Sequence, residues 1–146
     1  MKMQTRLLMM ATFVALAMSG SIAQDNSAGL EGRQFKCRIS EITPPDVDRM
    51  PMVYDEVITF EAGRLVSDFM KRFISEDVPY SASIDDRRAV AFTVVAFEAQ
   101  GNGTKGDSSV SITYTGNIAG YVGLYGEILI NGNGFQEKYI VETLNP

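Results

Sequence analysis

The sequence predicts an all-β, single-domain protein of about eight antiparallel strands that follow one another in a meander. Apolar and polar residues alternate with a period of two in several segments, as expected for half-buried strands. Short turns rich in glycine and asparagine separate these segments. A meander has to protect its edge strands, so closure into a barrel is the favoured arrangement. A two-sheet β-sandwich is the alternative.

Residues 1–23 are typical of a secretory signal peptide. Lys2 and Arg6 give it a positive start, Leu7 to Met18 is predominantly apolar, and small residues stand at Ser21 and Ala23. The apolar run is shorter than the roughly 20 residues that span a bilayer. We therefore expect cleavage near Ala23, no transmembrane segment, and a periplasmic or secreted protein.

The remaining residues, 24–146, form one predicted domain, in which residues 24–32 are a flexible lead-in. Loss of the two positive charges Lys2 and Arg6 changes the formal net charge from −5 to −7. An acidic surface repels phosphate backbones, so we expect no nucleic-acid partner.

The residue types that are missing restrict the possible chemistry. The chain has no histidine, which removes Ser-His-Asp and Cys-His catalysis and the usual zinc and haem ligands. We therefore expect a non-catalytic protein with no metal site and no cofactor. Cys37 is the only cysteine, so no intramolecular disulfide can form, and its position between Phe35 and Ile39 predicts a small buried side chain.

The first three predicted strands span residues 33–42, 53–60 and 65–74. Glu61 to Arg64 forms the hairpin turn between the second and third, with Gly63 at a positive φ. Counting across this turn places five residues on one inward face. They are Ile58, Phe60, Leu65, Ser67 and Phe69. A helix is the competing prediction for residues 65–74, but the turn and the alternation favour a strand.

The second half of the chain is predicted to contain the remaining strands. A short, weak strand covers residues 80–84, a charged turn residues 85–88, and an apolar strand residues 89–99. Glycine-rich turns are expected at residues 101–107 and 116–117, on either side of a strand with Val110, Ile112 and Tyr114 inward. The last two strands, residues 121–130 and 135–144, flank the Asn-Gly-Asn-Gly hairpin at 131–134.

Three short stretches resemble small exported bacterial proteins with lipocalin-like (calycin-type) barrels. Leu30 to Phe35 is similar to an opening Leu-x-Gly-x-x-Phe motif, Asp55 to Gly63 to a second strand and its turn, and Thr113 to Gly120 to a late Thr-Gly-x-Ile-x-Gly turn. The resemblance implies a closed barrel and binding of apolar small molecules, and it implies no catalytic residues. A tryptophan expected on a late strand is replaced by Val110 or Leu124.

Two motifs are better explained as turns than as sites. Residues 101–106 match G-x-G-x-x-G, but a dinucleotide site needs a helix after these glycines and a strand is predicted instead. The carboxylates at 46 and 48, 76 and 77, and 85 and 86 lack the spacing of a calcium loop. Both features are typical of solvated turns.

The predicted interior is the best candidate for a binding site. Thirteen residues are expected to share it: Phe35, Ile39, Ile58, Phe60, Leu65, Phe69, Val110, Ile112, Tyr114, Val122, Leu124, Tyr139 and Val141. The aromatic members Phe35, Phe60, Phe69, Tyr114 and Tyr139 either fill the core or line a pocket for a small apolar ligand. We therefore expect a carrier or sensor of such a ligand, or else a structural or interaction module of the cell envelope. An enzyme that uses paired carboxylates or tyrosines is the least favoured function.

Overall fold

Eight strands and one turn of helix make up the fold in the computed structural model, which describes residues 27–85, 93–120 and 123–144. The strands are β1 (Gln34–Glu41), β2 (Val53–Glu61), β3 (Arg64–Val66), β4 (Val78–Ile84), β5 (Val94–Lys105), β6 (Ser108–Ala119), β7 (Gly123–Gly132) and β8 (Phe135–Thr143). The helix, α1, spans Asp68–Lys71 between β3 and β4.

Each strand pairs antiparallel with the next, and β1 pairs with β8 to close the barrel. The closing seam places Cys37 opposite Thr143 and Glu41 opposite Tyr139. The prediction of an all-β meander is therefore confirmed, and the barrel rather than the sandwich is the observed closure. The closed barrel agrees with the fold that the lipocalin-like resemblance implies.

The period-two alternation defines the inside of the barrel as predicted. Along β1, Cys37 and Ile39 are buried and Lys36 is exposed. Twelve of the thirteen predicted interior residues lie in one hydrophobic core, and Val122 lies outside the described residues. Cys37 is also fully buried, as predicted, and its thiol forms no disulfide.

The strand predicted for residues 65–74 is wrong beyond Val66. The chain leaves the sheet at Ser67, whose hydroxyl accepts a hydrogen bond from the backbone N–H of Met70 (3.2 Å) and caps α1. Such a cap satisfies a donor that would otherwise have no partner in the first helical turn. Phe69 and Met70 are consecutive and both buried, which departs from the alternation expected of a half-buried strand.

The turn predicted at residues 101–107 is too long, because β5 continues to Lys105 and the turn is confined to residues 106 and 107. The turn predicted at 116–117 is wrong, because β6 passes through both residues. At Gly103 a Cβ would lie 2.0 Å from the carbonyl oxygen of Phe73, and at Gly116 it would lie 2.5 Å from the ring of Phe97. These glycines therefore permit close approach within the wall. The actual β5–β6 turn uses Gly106, which has a φ of 59°. Since a strand follows, the G-x-G-x-x-G residues lie in a hairpin, as predicted.

The other hairpins agree with the sequence. Gly63 (φ 71°) and Gly134 (φ 83°) take the positive-φ positions in the β2–β3 and β7–β8 turns. Within the predicted strand at 89–99, β5 begins at Val94, and residues 86–92 lie outside the described ranges. Most of the charged turn predicted at 85–88 also falls in that unassigned stretch.

Both ends of the barrel are covered. At the end that carries the β2–β3 turn, Leu30 is fully buried and the N–H of Gly32 donates to the carbonyl of Phe60 (2.7 Å). At the other end, α1 lies against the tip of the β5–β6 hairpin, where the N–H of Thr104 donates to the carbonyl of Phe73 (2.9 Å). The interior is thus enclosed by the wall and by these two caps.

Candidate binding site in the barrel interior

Two groups of aromatic rings occupy the interior. In the first, the ring of Phe60 lies edge-on to Phe35 (centroids 6.2 Å apart), Tyr80 (4.9 Å) and Phe97 (5.0 Å). Phe97 in turn contacts Tyr114 at 5.2 Å. Edge-to-face rings at these distances attract each other, so this group stabilises the centre of the barrel.

The second group lies at the α1 end. The ring of Phe69 contacts Tyr139 (4.8 Å), Tyr54 (5.3 Å) and Phe73 (5.5 Å). Phe69 and Phe73 come from α1 and the residues just after it, whereas Tyr54 and Tyr139 come from the wall. The second group is therefore the contact through which the helical cap holds the barrel end.

The five residues predicted to contact a ligand divide between these groups. Phe35, Phe60 and Tyr114 belong to the first, and Phe69 and Tyr139 belong to the second. All five are buried, and ring-to-ring contacts connect the members within each group.

The two candidate tyrosines differ in what their hydroxyls contact. The hydroxyl of Tyr139 donates to the Oε2 atom of Glu137 (3.1 Å). The hydroxyl of Tyr114 is fully buried and has no hydrogen-bond partner among the described residues. Burial raises the pKa of Tyr114 well above its usual value of 10, so the phenol stays protonated. A buried hydroxyl without a partner costs about 1–3 kcal/mol, so Tyr114 is the polar atom in this interior that a bound group would satisfy.

A thiol and a carboxylate lie near this hydroxyl. Cys37 and Glu56 are cross-strand partners on β1 and β2. Burial is the main cause of the raised pKa of Tyr114, and the charges that Cys37 and Glu56 carry when they are ionised add to it. Burial raises the pKa of Cys37 itself to about 12, so the thiol is neutral and unreactive at physiological pH.

Glu56 is the interior residue that the sequence analysis missed. Its carboxylate accepts hydrogen bonds from the hydroxyl of Ser67 (2.6 Å) and the backbone N–H of Phe69 (2.7 Å), and so supports the start of α1. Desolvation by burial raises its pKa despite these bonds. The alternation pattern contained this information. Residues 56, 58 and 60 lie on one face of β2, so the prediction that Ile58 and Phe60 point inward also predicts that Glu56 does.

The barrel wall is interrupted beside Glu56. β3 pairs only with Thr59 to Glu61, so residues 53–58 of β2 have no partner on that side among the described strands, and α1 covers the gap. A groove of about 370 Å³ follows this boundary between β2 and α1. Tyr54, Glu56, Phe69 and Arg72 are among its lining residues, and the guanidinium carbon of Arg72 lies 4.6 Å from the centre of the Tyr54 ring.

Over residues 27–85, 93–120 and 123–144, no group of three or more His, Cys, Asp or Glu side chains is arranged to hold a metal ion. Within these ranges, no helix has the length and apolar character needed to cross a membrane. No family model matches the chain, and no curated protein or solved structure matches it significantly.

Proposed function

We propose that the protein is an exported, non-catalytic, lipocalin-like barrel that binds a small apolar or amphipathic molecule in its interior. The observation that carries this proposal is the buried hydroxyl of Tyr114, which has no hydrogen-bond partner in the part of the chain that the structure describes and lies among aromatic rings. A ligand with an apolar body and one hydroxyl would gain ring contacts and would also satisfy this group.

The ligand reaches the interior through the gap that α1 covers. One turn of helix closes this gap, and its buried Phe69 ring contacts the ring of Tyr139 in the barrel wall. Outward movement of α1 would leave the strand ladders of β4 to β8 intact, because α1 belongs to none of them. Binding therefore requires Phe69 to move, and the ligand takes over its contacts with Tyr54 and Tyr139.

Titration with 1-decanol, followed by protein NMR on the purified product of the full coding sequence, tests this proposal. We expect saturable shifts for interior amides around Tyr114. Tyr114→Phe should weaken decanol binding about tenfold, the equivalent of one lost hydrogen bond. Tyr139→Phe is the matched control, because its hydroxyl is already bonded to Glu137, and it should have a smaller effect. Native mass spectrometry of protein from its own cells should also show a co-purifying small molecule.

The second candidate is a structural or interaction module of the cell envelope, and it is favoured by the extensive ring contacts in the core. Exposed apolar residues on the β1–β2 connection, such as Met50 (85 % exposed), would then serve contacts with a partner. On this alternative decanol does not bind, and Tyr114→Phe is neutral or stabilising because it removes an unsatisfied hydroxyl.

Export is a separate part of the proposal and rests on residues 1–23. Intact-mass measurement on the protein from its own cells should give a chain that begins at Gln24. A chain that retains Met1 in the envelope fraction would refute the cleavage and leave the binding proposal unaffected.

A further inference from the structure

A second groove lies on the outer surface of the barrel, across β4, β5, β6 and β7. Its volume is about 820 Å³. Tyr125 and Thr115 line it and are exposed, so it opens to solvent on the side of the wall opposite the buried core. It is therefore separate from the interior site proposed above.

Two glycines lie in the floor of this groove and allow close packing there. Ala82, Phe97, Gly116 and Gly126 are cross-strand partners and form one row across the four strands. A Cβ at Gly116 would lie 2.5 Å from the ring of Phe97, and a Cβ at Gly126 would lie 2.5 Å from the carbonyl oxygen of Thr115. Without these Cβ atoms the strands come close to the core rings, and the outer surface is recessed along the row.

Outward-facing side chains form the two walls of the groove. The register aligns Ser81, Glu98, Thr115 and Glu127 on one side of the glycine row, and Ser83, Ala96, Asn117 and Tyr125 on the other. Four strands at a spacing of about 4.8 Å give a groove about 14 Å long. It therefore has room for a short chain of linked rings.

The chemistry of these walls indicates the class of ligand. Serine and threonine hydroxyls, the Asn117 amide and two carboxylates offer many hydrogen bonds, while Tyr125 presents a flat ring that is 55 % exposed. Among the described residues that line the groove there is no lysine or arginine, and Glu98 and Glu127 disfavour an anionic ligand. Glu127 also pairs with Lys138 on β8 (2.8 Å), which fixes its position at the end of the groove.

We propose that this groove binds a short, neutral oligosaccharide. Sugar hydroxyls donate to the carboxylates and exchange hydrogen bonds with Asn117 and the serines, and one sugar ring stacks on Tyr125. An extended peptide is the competing ligand. It is disfavoured because the groove runs across the strands and offers no free strand edge for backbone pairing.

Protein NMR with cellohexaose, maltohexaose, N-acetylchitohexaose and hexagalacturonate tests this proposal on the full gene product. At least one neutral hexasaccharide should shift the amides of residues 96–98, 115–117 and 125–127 in a saturable way. Tyr125→Ala should weaken that binding about tenfold, and Tyr125→Phe should retain most of it. Val53→Ala is the matched control, since Val53 is also 55 % exposed but lies on β2, outside the groove.

Three results would overturn the proposal. The first is the absence of binding by all three neutral hexasaccharides at millimolar concentration, with the fold confirmed by the spectrum. The second is stronger binding of hexagalacturonate than of the neutral sugars. The third is an equal loss of affinity in Tyr125→Ala and Val53→Ala. Decanol binding shifts the amides of the barrel interior, whereas oligosaccharide binding shifts those of the outer groove. A failure to bind at one site therefore does not refute the proposal for the other.

Discussion

Two parts of the barrel wall are held together in different ways. In the long wall, β5 pairs with β6 along its whole length, from Val94 to Lys105, and β6 pairs with β7 almost as completely. In the short wall, β3 has only three residues, pairs with β4 at Arg64 and Leu65 alone, and then gives way to α1. Backbone ladders hold the long wall, whereas the short wall needs another source of stability.

Two carboxylates replace the missing ladder in the short wall. Glu56 accepts from Ser67 and Phe69 at the start of α1. Glu31 accepts from the backbone N–H groups of Ala62 and Gly63 in the β2–β3 turn. Each carboxylate accepts more than one hydrogen bond, so substitution of either Glu56 or Glu31 releases several contacts of the short wall at once. The short wall should therefore open at lower cost.

The largest expected effect compares one buried phenylalanine from each wall. Phe97→Ala should reduce the free energy of unfolding by about 4 kcal/mol, because the long wall cannot close around the cavity. Phe69→Ala should cost about 2–3 kcal/mol, because a single turn of helix can settle inward. Urea denaturation of both variants measures the difference. Equal costs would show that the two walls are equally rigid.

The next effect concerns the cap of α1. Ser67→Ala removes the acceptor for the Met70 N–H and a donor to Glu56, and should cost about 1–2 kcal/mol. Hydrogen exchange of the amides in α1 should accelerate, while exchange in β6 and β7 stays unchanged. Ser111→Ala on the exposed face of β6 is the control and should be almost neutral. Uniform acceleration in both walls would contradict independent opening of the cap.

The third effect is a dependence of stability on pH that comes from Glu56. Its pKa in the folded state is raised above 4.5, so the folded protein binds more protons than the unfolded chain between 4.5 and the raised value. The free energy of unfolding should therefore fall as the pH rises through this window. Glu56→Gln should remove that slope relative to the native protein, as urea denaturation between pH 4 and 8 would show. An unchanged slope would mean that Glu56 titrates normally.

Glu41 should act in the opposite direction and serves as an internal reference. Hydrogen bonding to Arg49 lowers its pKa below 4.5, so its stabilising contribution is present above pH 4.5 and is lost as the pH falls further. Glu41→Gln should therefore change how the free energy of unfolding depends on pH below 4.5. Glu56→Gln should change that dependence above pH 4.5.

The smallest effect lies in the β2–β3 turn. Ala62 has a φ of 53°, a conformation that strains a residue with a Cβ. Ala62→Gly should relieve this strain and raise the free energy of unfolding by about 0.5–1 kcal/mol. Ala96→Gly, within β5, should lower it by a similar amount. Thermal unfolding shows whether each variant is more or less stable than the native protein. A lower stability of Ala62→Gly would mean that Ala62 is not strained.

The sequence predicts the inside of this barrel well, because the side-chain period of a strand separates the two faces. It fails at α1, because Leu65, Ser67 and Phe69 fit an alternating strand while Phe69, Met70 and Ile74 fit a helix. It also makes one turn too long and misplaces another, since a glycine that permits close approach looks the same in a sequence as a glycine that permits a turn. Only the three-dimensional contacts of Gly103 and Gly116 separate these roles.

The candidate sites are less accessible to sequence reasoning than the fold. The alternation pattern identifies the five interior aromatic residues. It does not show that the Tyr139 hydroxyl has a hydrogen-bond partner and the Tyr114 hydroxyl has none among the described residues, because this depends on the three-dimensional contacts. The outer groove depends on the register between four strands, which places Thr115 beside Glu98. Alternation along one strand carries no information about register with the next.

The seam between β1 and β8 also constrains the order in which this chain can fold. Every other strand pair joins neighbours along the sequence and can form as soon as the second strand is available. The seam joins Cys37 to Thr143, so it has to wait until the chain has been synthesised as far as β8. Until then β1 presents an unpaired edge that can join other chains. A ribosome that stalls before residue 135 would leave this edge exposed, and premature termination there should yield aggregates rather than a smaller barrel.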